Sequence, residues 1–365
     1  MADINCSAEM TAYHHDEVTL SLKQQQDMRA RRNAGRTRLE NGLDTAGKPQ
    51  PREVRSQGSY QMRTMVQDPE NDYDIDDGAY FRHDDLMDDD GLHLSPLAAR
   101  QRVRDALKWD GRFNQEAEVK SNCVRQVYAA GYHIDVPVYR IMVVKDWQGN
   151  ETERYELASG DVWVISDARA VTRWFNNKVK ELNGNDGELS EGQADGSQLR
   201  RVTKLTKKFA RRAAWKTATT SGITITKLVV DHFAASADRD DTALRETWKR
   251  INAALVLSTQ VAHPVVEKSL AESGDEQVTH FRDCLTAALD TLAVLDKDGC
   301  TRAQARQAWD DVFDTTFFSD QPDPDSAKKA GAGGSVMEVT KVETARRDDG
   351  GGASADGITR GDCRH

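Results

Sequence analysis

Between Ser166 and Phe318 the apolar positions recur at helical spacing. In LRRVTKLTKKFARRAAWK, residues 199–216, Val202, Leu205, Phe209 and Ala213 fall at i, i+3, i+7 and i+11, which predicts an amphipathic helix. Helices are expected also over 168–182, capped by Asp167, and over 222–236, 241–262, 275–295 and 301–318. The first half of the chain is mixed. Val18 to Leu43 has long side chains and no proline and reads as one long helix. Residues 95–109 read as another: Ser95 caps it, Pro96 takes the first helical position, and Leu97, Val103 and Leu107 supply apolar contacts. Residues 123–129 and the β-branched, aromatic run 133–144 predict strands, and 155–165 a strand or turn region ending in VWVIS. Polar, patternless segments separate these elements: residues 1–17, a linker over 44–56 and a Gly- and Glu-rich loop over 183–197. Residues 322–365 hold eight of the 25 glycines and no aromatic residue, which predicts disorder.

With 365 residues, the chain is long enough for two domains or one large one, and for a core that needs no disulfide or metal staple. The formal charge of −10 argues against a protein that coats nucleic acid but leaves a nucleotide enzyme open, since a site can be locally basic. No apolar run approaches the ~18 residues of a membrane span. The start, MADINCSAEMTAYHHDE, lacks the basic and apolar regions of a signal peptide. The five cysteines are scattered without a CxxC pair, so neither a zinc site nor a disulfide framework is indicated, and a reducing cytoplasm is expected.

The charge is not evenly spread. Eleven acids fall within residues 57–90, and eight bases without an acid within 199–216. Three pieces carry candidate chemistry. Gln57-Gly58-Ser59 could open a helix and offer N–H groups and a hydroxyl to a phosphate, although most Gly-Ser pairs are ordinary turns. In Tyr73-Asp74-Ile75-Asp76-Asp77-Gly78, read as a strand, Asp74 and Asp76 project side by side. Their mutual repulsion would be relieved by a cation such as Mg²⁺. On that segment alone a solvated acidic loop is the plainer reading. In His133-Ile134-Asp135-Val136-Pro137 an acid sits in an apolar strand, where a metal, a basic partner or a strand-end position would satisfy it. His133 reads as a packing or supporting residue rather than a ligand.

Together, a Gly-Ser helix start, a D-x-D strand about 15 residues later and a third Asp on a later strand resemble the polymerase-β-like nucleotidyltransferases. QGSYQMRTM, YDIDDGAYF, CVRQVY, HIDVPVYRI, WVISDARAVTRWFN, LRRVTKLTKKF and SGITI further resemble the bacterial cGAS/DncV-like nucleotidyltransferases (CD-NTases), and among them the DncV-type cyclic GMP-AMP synthases, over about residues 20–320. The resemblance implies an α+β fold: a nucleotidyltransferase core over 18–165 with a mixed sheet and flanking helices, a helical domain over 166–320, a flexible N-terminus over 1–17 and a disordered tail over 321–365. It implies that Asp74, Asp76 and Asp135 hold two Mg²⁺ ions, that Gly58 and Ser59 hold the donor triphosphate, and that Gln57, Arg125, Ser166, Lys207 and Ser221 also contact the nucleotides. Met62 stands where an aromatic residue stacks on a base. The implied reaction joins ATP and GTP into a cyclic dinucleotide for a separate effector protein in anti-phage defence, without DNA or membrane. A templateless transfer to RNA ends or another acceptor is the alternative. Some relatives are conjugated through their C-terminus by ubiquitin-transfer-like enzymes, and the glycine-bearing tail would suit this, although an unstructured end is the plainer reading.

Overall fold

The structure is a computed structural model, and it describes residues 4–68, 74–108, 116–128, 133–183, 196–215 and 218–322. The described residues up to Gln321 form one compact unit, and the expected disordered tail lies outside the described residues apart from its first two positions. In chain order the elements are α1 (Ser7–Tyr13), α2 (Leu22–Thr45), β1 (Glu53–Gln57), α3 (Gly58–Met62), β2 (Asp74–Arg82), α4 (Pro96–Leu107), β3 (Glu118–Val119), β4 (Val124–Val127), β5 (His133–Val136), β6 (Val138–Lys145), β7 (Glu151–Ser159) and β8 (Val162–Ile165). The helices α5 (Ala168–Asn183), α6 (Gln198–Ala210), α7 (Gly222–His232), α8 (Asp240–Leu257), α9 (Glu276–Leu292) and α10 (Arg302–Phe313) follow. The fold is α+β, a mixed sheet with flanking helices followed by a helical region, as the resemblance implies. Among the described residues no helix is long and apolar enough to cross a membrane.

β2 is the centre of the sheet. It pairs antiparallel with β1, Gln57 opposite Asp76, and parallel with β5 and β6, Asp76 opposite Asp135 and Tyr80 opposite Tyr139. The strand predicted over 133–144 is thus found as two, β5 and β6. Pro137, which has no N–H, interrupts the ladder, but the register against β2 is the same before and after it. The Pro137 carbonyl still accepts a bond from the Ala79 N–H at 2.9 Å. β4 runs antiparallel to β5, with Arg125 opposite Asp135, and β7 antiparallel to β6. Helices α2 and α4 cover one face, burying Leu39, Leu43, Ile75, Phe81, Val103 and Leu107 in a common core. A Cβ on Gly42 of α2 would lie 2.1 Å from the Ala106 carbonyl oxygen of α4, so the two helices touch backbone to backbone there.

The helices after α5 have their own core, with Leu205, Phe209, Trp248 and Trp309. Two expectations are corrected by the structure. Residues 1–17 are not a free N-terminus: Cys6, Met10 and Tyr13 are buried in that helical core. Tyr13 packs on Phe313 and Phe318 with ring centroids 4.8 and 4.9 Å apart, and Glu9 accepts bonds from Arg306 at 2.8 and 3.0 Å. The reason is a three-residue apolar stripe at helical spacing, too short to stand out among polar neighbours but stabilising by ~1.5–3 kcal/mol for each large side chain buried. The supposed linker over 44–56 ends in a strand, β1, which pairs along the edge of β2.

Candidate active site

Each acid of the candidate site is placed by strand pairing. Asp74 and Asp76 project from the same face of β2, and the ladder brings Asp135 of β5 beside Asp76 and His133 beside Asp74. Asp74, His133 and Asp135 offer ligand atoms that all lie within 4.8 Å of one another. The His133 Nε2 is 3.8 Å from the Asp74 carboxylate. His133, read as a packing residue, therefore lies inside the acidic cluster. Asp77 faces the other way, as alternation in a strand demands. It is buried, accepts bonds from Arg36 at 2.6 and 2.7 Å and from Ser56 at 2.9 Å, and belongs to the scaffold.

Burial, the Asp74 charge and the Asp135 charge push the Asp76 carboxyl up to about 8, and burial followed by Asp135 also raises that of Asp74. This is a site with more negative charge than its own cations balance. Its oxygen donors suit a hard divalent cation such as Mg²⁺. Asp135 has one basic partner already: Arg125 donates from Nε at 2.8 Å and from Nη2 at 2.7 Å, a two-point clamp across the β4–β5 ladder.

The acids border a cavity of about 340 Å³. At its near side stand Gln57, Gly58 and Ser59, where β1 turns into the short α3. Gly58 is at φ +62, and a Cβ there would fall 2.3 Å from the Asp76 Oδ2, so glycine is required both by the backbone and by the carboxylate. Lys207 and Arg211 also line it, with Gly222 at the start of α7 beside Lys207. The Lys207 Nζ donates to Thr64 Oγ1 at 2.9 Å, and burial, then Arg211, pushes its ammonium down to about 7. Met62, Met65, Val66, Val171 and Ile223 give the cavity an apolar side.

Residues 52–139 match the family described as cyclic GMP-AMP synthase DncV-like, nucleotidyltransferase domain. This stretch holds Gly58, Ser59, Asp74, Asp76 and Asp135. Residues 52–139 are thus similar to a DncV-like nucleotidyltransferase domain. The likeness of fold runs further than that domain. The Vibrio cholerae dinucleotide cyclase DncV, solved as a mutant with ATP, GTP and 5MTHFGLU2, superposes with a TM-score of 0.65 at 18% identity, covering 85% of this chain and 96% of that one. DncV of the same organism with the linear intermediate pppA(3′,5′)pG gives 0.63 at 19%, covering 85% and 96%. The Escherichia coli DncV bound to 3′-deoxy GTP gives 0.60 at 19%, covering 83% and 94%.

Around the DncV-like domain, the predicted site residues divide. Gln57, Gly58, Ser59, Asp74, Asp76, Ser166 and Lys207 line the cavity. The Gln57 amide is already engaged, donating to Tyr139 Oη at 3.0 Å and accepting from Tyr80 Oη at 2.9 Å, so its side chain braces the sheet. Arg125 and Asp135 stand beside the cavity rather than in its lining. Ser221 caps α7, accepting from the Thr224 N–H at 3.3 Å, and is one residue removed from the wall at Gly222. Between Arg200 and Lys208 the basic stretch is not a solvated face, whereas Arg211 is exposed. Arg200 bonds the Met62 carbonyl and Asn176, Arg201 bonds Asp240, and Arg212 bonds the Val312 carbonyl. Among the polar residues at the site, sequence reasoning did not single out Thr64 or Arg211. Arg211 was within reach, since it follows Lys207 by four residues, one helical turn.

Proposed function

We propose that the protein is a cyclic oligonucleotide synthase, joining ATP and GTP into a cyclic GMP-AMP isomer by two nucleotidyl transfers that each release pyrophosphate. One observation carries this reading: carboxylates in excess and two bases, the buried Lys207 and the exposed Arg211, border the same 340 Å³ cavity. A cation-loaded nucleoside triphosphate supplies both the positive charge the acids lack and the negative charge the bases lack. The linear intermediate pppA(3′,5′)pG in the V. cholerae protein supports a stepwise route on this fold.

The chain's own residues divide the work. Gly58 and Ser59 border the space for the donor triphosphate, whose phosphates Lys207 and Arg211 in the same lining offset. An arriving phosphate draws Lys207 back towards its charged form. Met62, Met65, Val66, Val171 and Ile223 exclude water on the side where a base can lie. Arg125 fixes the Asp135 carboxylate facing Asp74, so that an incoming ribose hydroxyl meets an oriented acceptor for its proton. Mg²⁺, held in two ions by Asp74, Asp76 and Asp135, would lower the pKa of that hydroxyl and neutralise the departing pyrophosphate. A single site serves both rounds if the linear product turns round before closing.

In the cell, this product would be a second messenger made in the cytoplasm for a separate effector protein in anti-phage defence. The test is incubation of the full chain with labelled NTPs and Mg²⁺. A phosphatase-resistant product bearing both adenine and guanine, absent with Asp74→Asn/Asp76→Asn, is expected. Label appearing in an added RNA or other acceptor instead would overturn the reading in favour of end transfer, and retained synthesis in the double variant would overturn the site.

A further inference from the structure

A second cluster of ligand-bearing side chains lies at the other end of β2. His83 and Asp84 occupy the 3-10 turn that directly follows the strand, and His93 lies on the returning arm of the loop. Ligand atoms of His83, Asp84 and His93 all lie within 4.8 Å of one another. The two imidazoles stand face to face, with ring centroids 3.8 Å apart and planes 18° from parallel. Seven residues of extended strand and turn separate His83 from Asp76, roughly 23 Å at ~3.3 Å per residue.

The loop is built to hold the two arms in place. Met87 and His93 form a β-bridge, the Leu94 N–H donates to the Leu86 carbonyl and the Asp88 N–H to the Leu92 carbonyl, both at 2.8 Å. Asp88 Oδ1 accepts the Leu92 N–H at 2.8 Å, and Arg102 ties down the carbonyls of Asp85 and Met87. Leu86 is buried beneath. Asp85, Asp88 and Asp90 add negative potential around the cluster.

We propose that His83, Asp84 and His93 form a binding site for a divalent transition-metal ion of the zinc class, distinct from the catalytic carboxylates. Two imidazoles and one carboxylate select borderline ions over Mg²⁺. Tetrahedral bonds of 2.0–2.2 Å bring ligand atoms to about 3.3–3.6 Å from each other, within a rotamer adjustment of the spacing found. Three protein ligands leave a fourth position for water, and because the site bridges the two arms of the loop, the ion acts as a clip on the end of the central strand.

The probe is Zn²⁺ itself, added to the full chain in a large excess of Mg²⁺, which occupies oxygen-only sites. Equilibrium dialysis should find one tightly bound Zn²⁺, and X-ray absorption a first shell with two imidazole nitrogens. His83→Gln and His93→Gln should each weaken binding at least tenfold, and Asp84→Asn less, with unfolding temperatures unchanged when no zinc is present; zinc should raise the unfolding temperature of the wild type more than that of either histidine variant. Binding within twofold of wild type in both histidine variants overturns the site. So does sulfur in the first shell, which would place the ion at Cys284 and His280, whose Sγ and Nε2 are 3.5 Å apart.

Discussion

Gly58 and Asp76 face each other so closely that a single methyl group on the glycine would lie 2.3 Å from the carboxylate oxygen. The turn that borders the phosphate space and the strand that bears the acids are therefore one unit, joined by the Gln57–Asp76 register. Gly58→Ala should lower product formation by two orders of magnitude or more, because Asp76 must move away. The left-handed backbone adds about 1–2 kcal/mol of strain, read as a fall in unfolding temperature. Activity within threefold of wild type would mean that Asp76 is not held where the cavity needs it.

The raised Asp76 carboxyl has a consequence for stability with a definite sign. A folded-state pKa of about 8, above the value of about 3.9 in the unfolded chain, means that the folded state binds the extra proton. Stability from this group is present below pH ~4 and is lost as pH rises towards 8. Without divalent cations, the unfolding temperature should drop between pH 6 and 9. Asp76→Asn should flatten that drop, and Mg²⁺ should reverse it in the wild type but not in the variant. Protons and Mg²⁺ compete for the same carboxylates, so half-saturating Mg²⁺ in thermal titrations should fall as pH rises.

Arg125 was read as a nucleotide contact, whereas the structure gives it to Asp135 in a two-point clamp. The two roles separate kinetically. An orienting role predicts that Arg125→Gln lowers kcat at least tenfold with NTP KM little changed, because a buried carboxylate loses its partner and its direction. Arg125→Lys should rescue little, since an ammonium cannot supply two parallel bonds. A tenfold rise in KM with kcat preserved would return Arg125 to the nucleotide. About a third of the Arg125 side chain is exposed, so the stability loss should stay near ~1–3 kcal/mol.

The parts that sequence made legible are those with local signals. Ser95 before Pro96, the period of Val202, Leu205 and Phe209, and the alternation of Asp74 and Asp76 each report on their own neighbourhood. α4, α6 and the face of β2 follow from them. What escaped depends on long-range pairing. Glu53–Gln57 has no strand pattern of its own and becomes a strand by lying along β2. Cys6, Met10 and Tyr13 make a stripe of only three residues, which gains meaning once α10 is beside it. The partners of Arg125 and Arg201 are carboxylates on other elements, at Asp135 and Asp240. A run of bases looks the same in sequence whether it faces solvent, a phosphate or a buried acid. Pro137 lay in plain view, but that β5 and β6 keep one register across it follows from the unbroken β2 beside them.

Gly42 offers a test of the frame that carries the site. In the interior of α2 a glycine is ordinarily a weakness, and replacement by alanine stabilises a helix by about 1 kcal/mol. Here the added Cβ would meet the Ala106 carbonyl oxygen at 2.1 Å and its carbon at 2.6 Å, which are backbone atoms of α4 that no rotamer change can remove. The helices must separate, and overpacking of this kind costs typically 1–3 kcal/mol. The clash exceeds the propensity gain, so Gly42→Ala should lower the unfolding temperature, whereas Gly35→Ala on the same helix, whose nearest neighbour is the flexible end of Arg38 at 3.8 Å, should raise it slightly. Because α2 and α4 lie on the sheet face opposite the cavity's helical wall and also carry Arg36, the partner of Asp77, the Gly42 variant should lose activity only in proportion to the unfolded fraction. A loss of turnover in the fully folded variant would show instead that the spacing of these two helices sets the position of β2 and its acids.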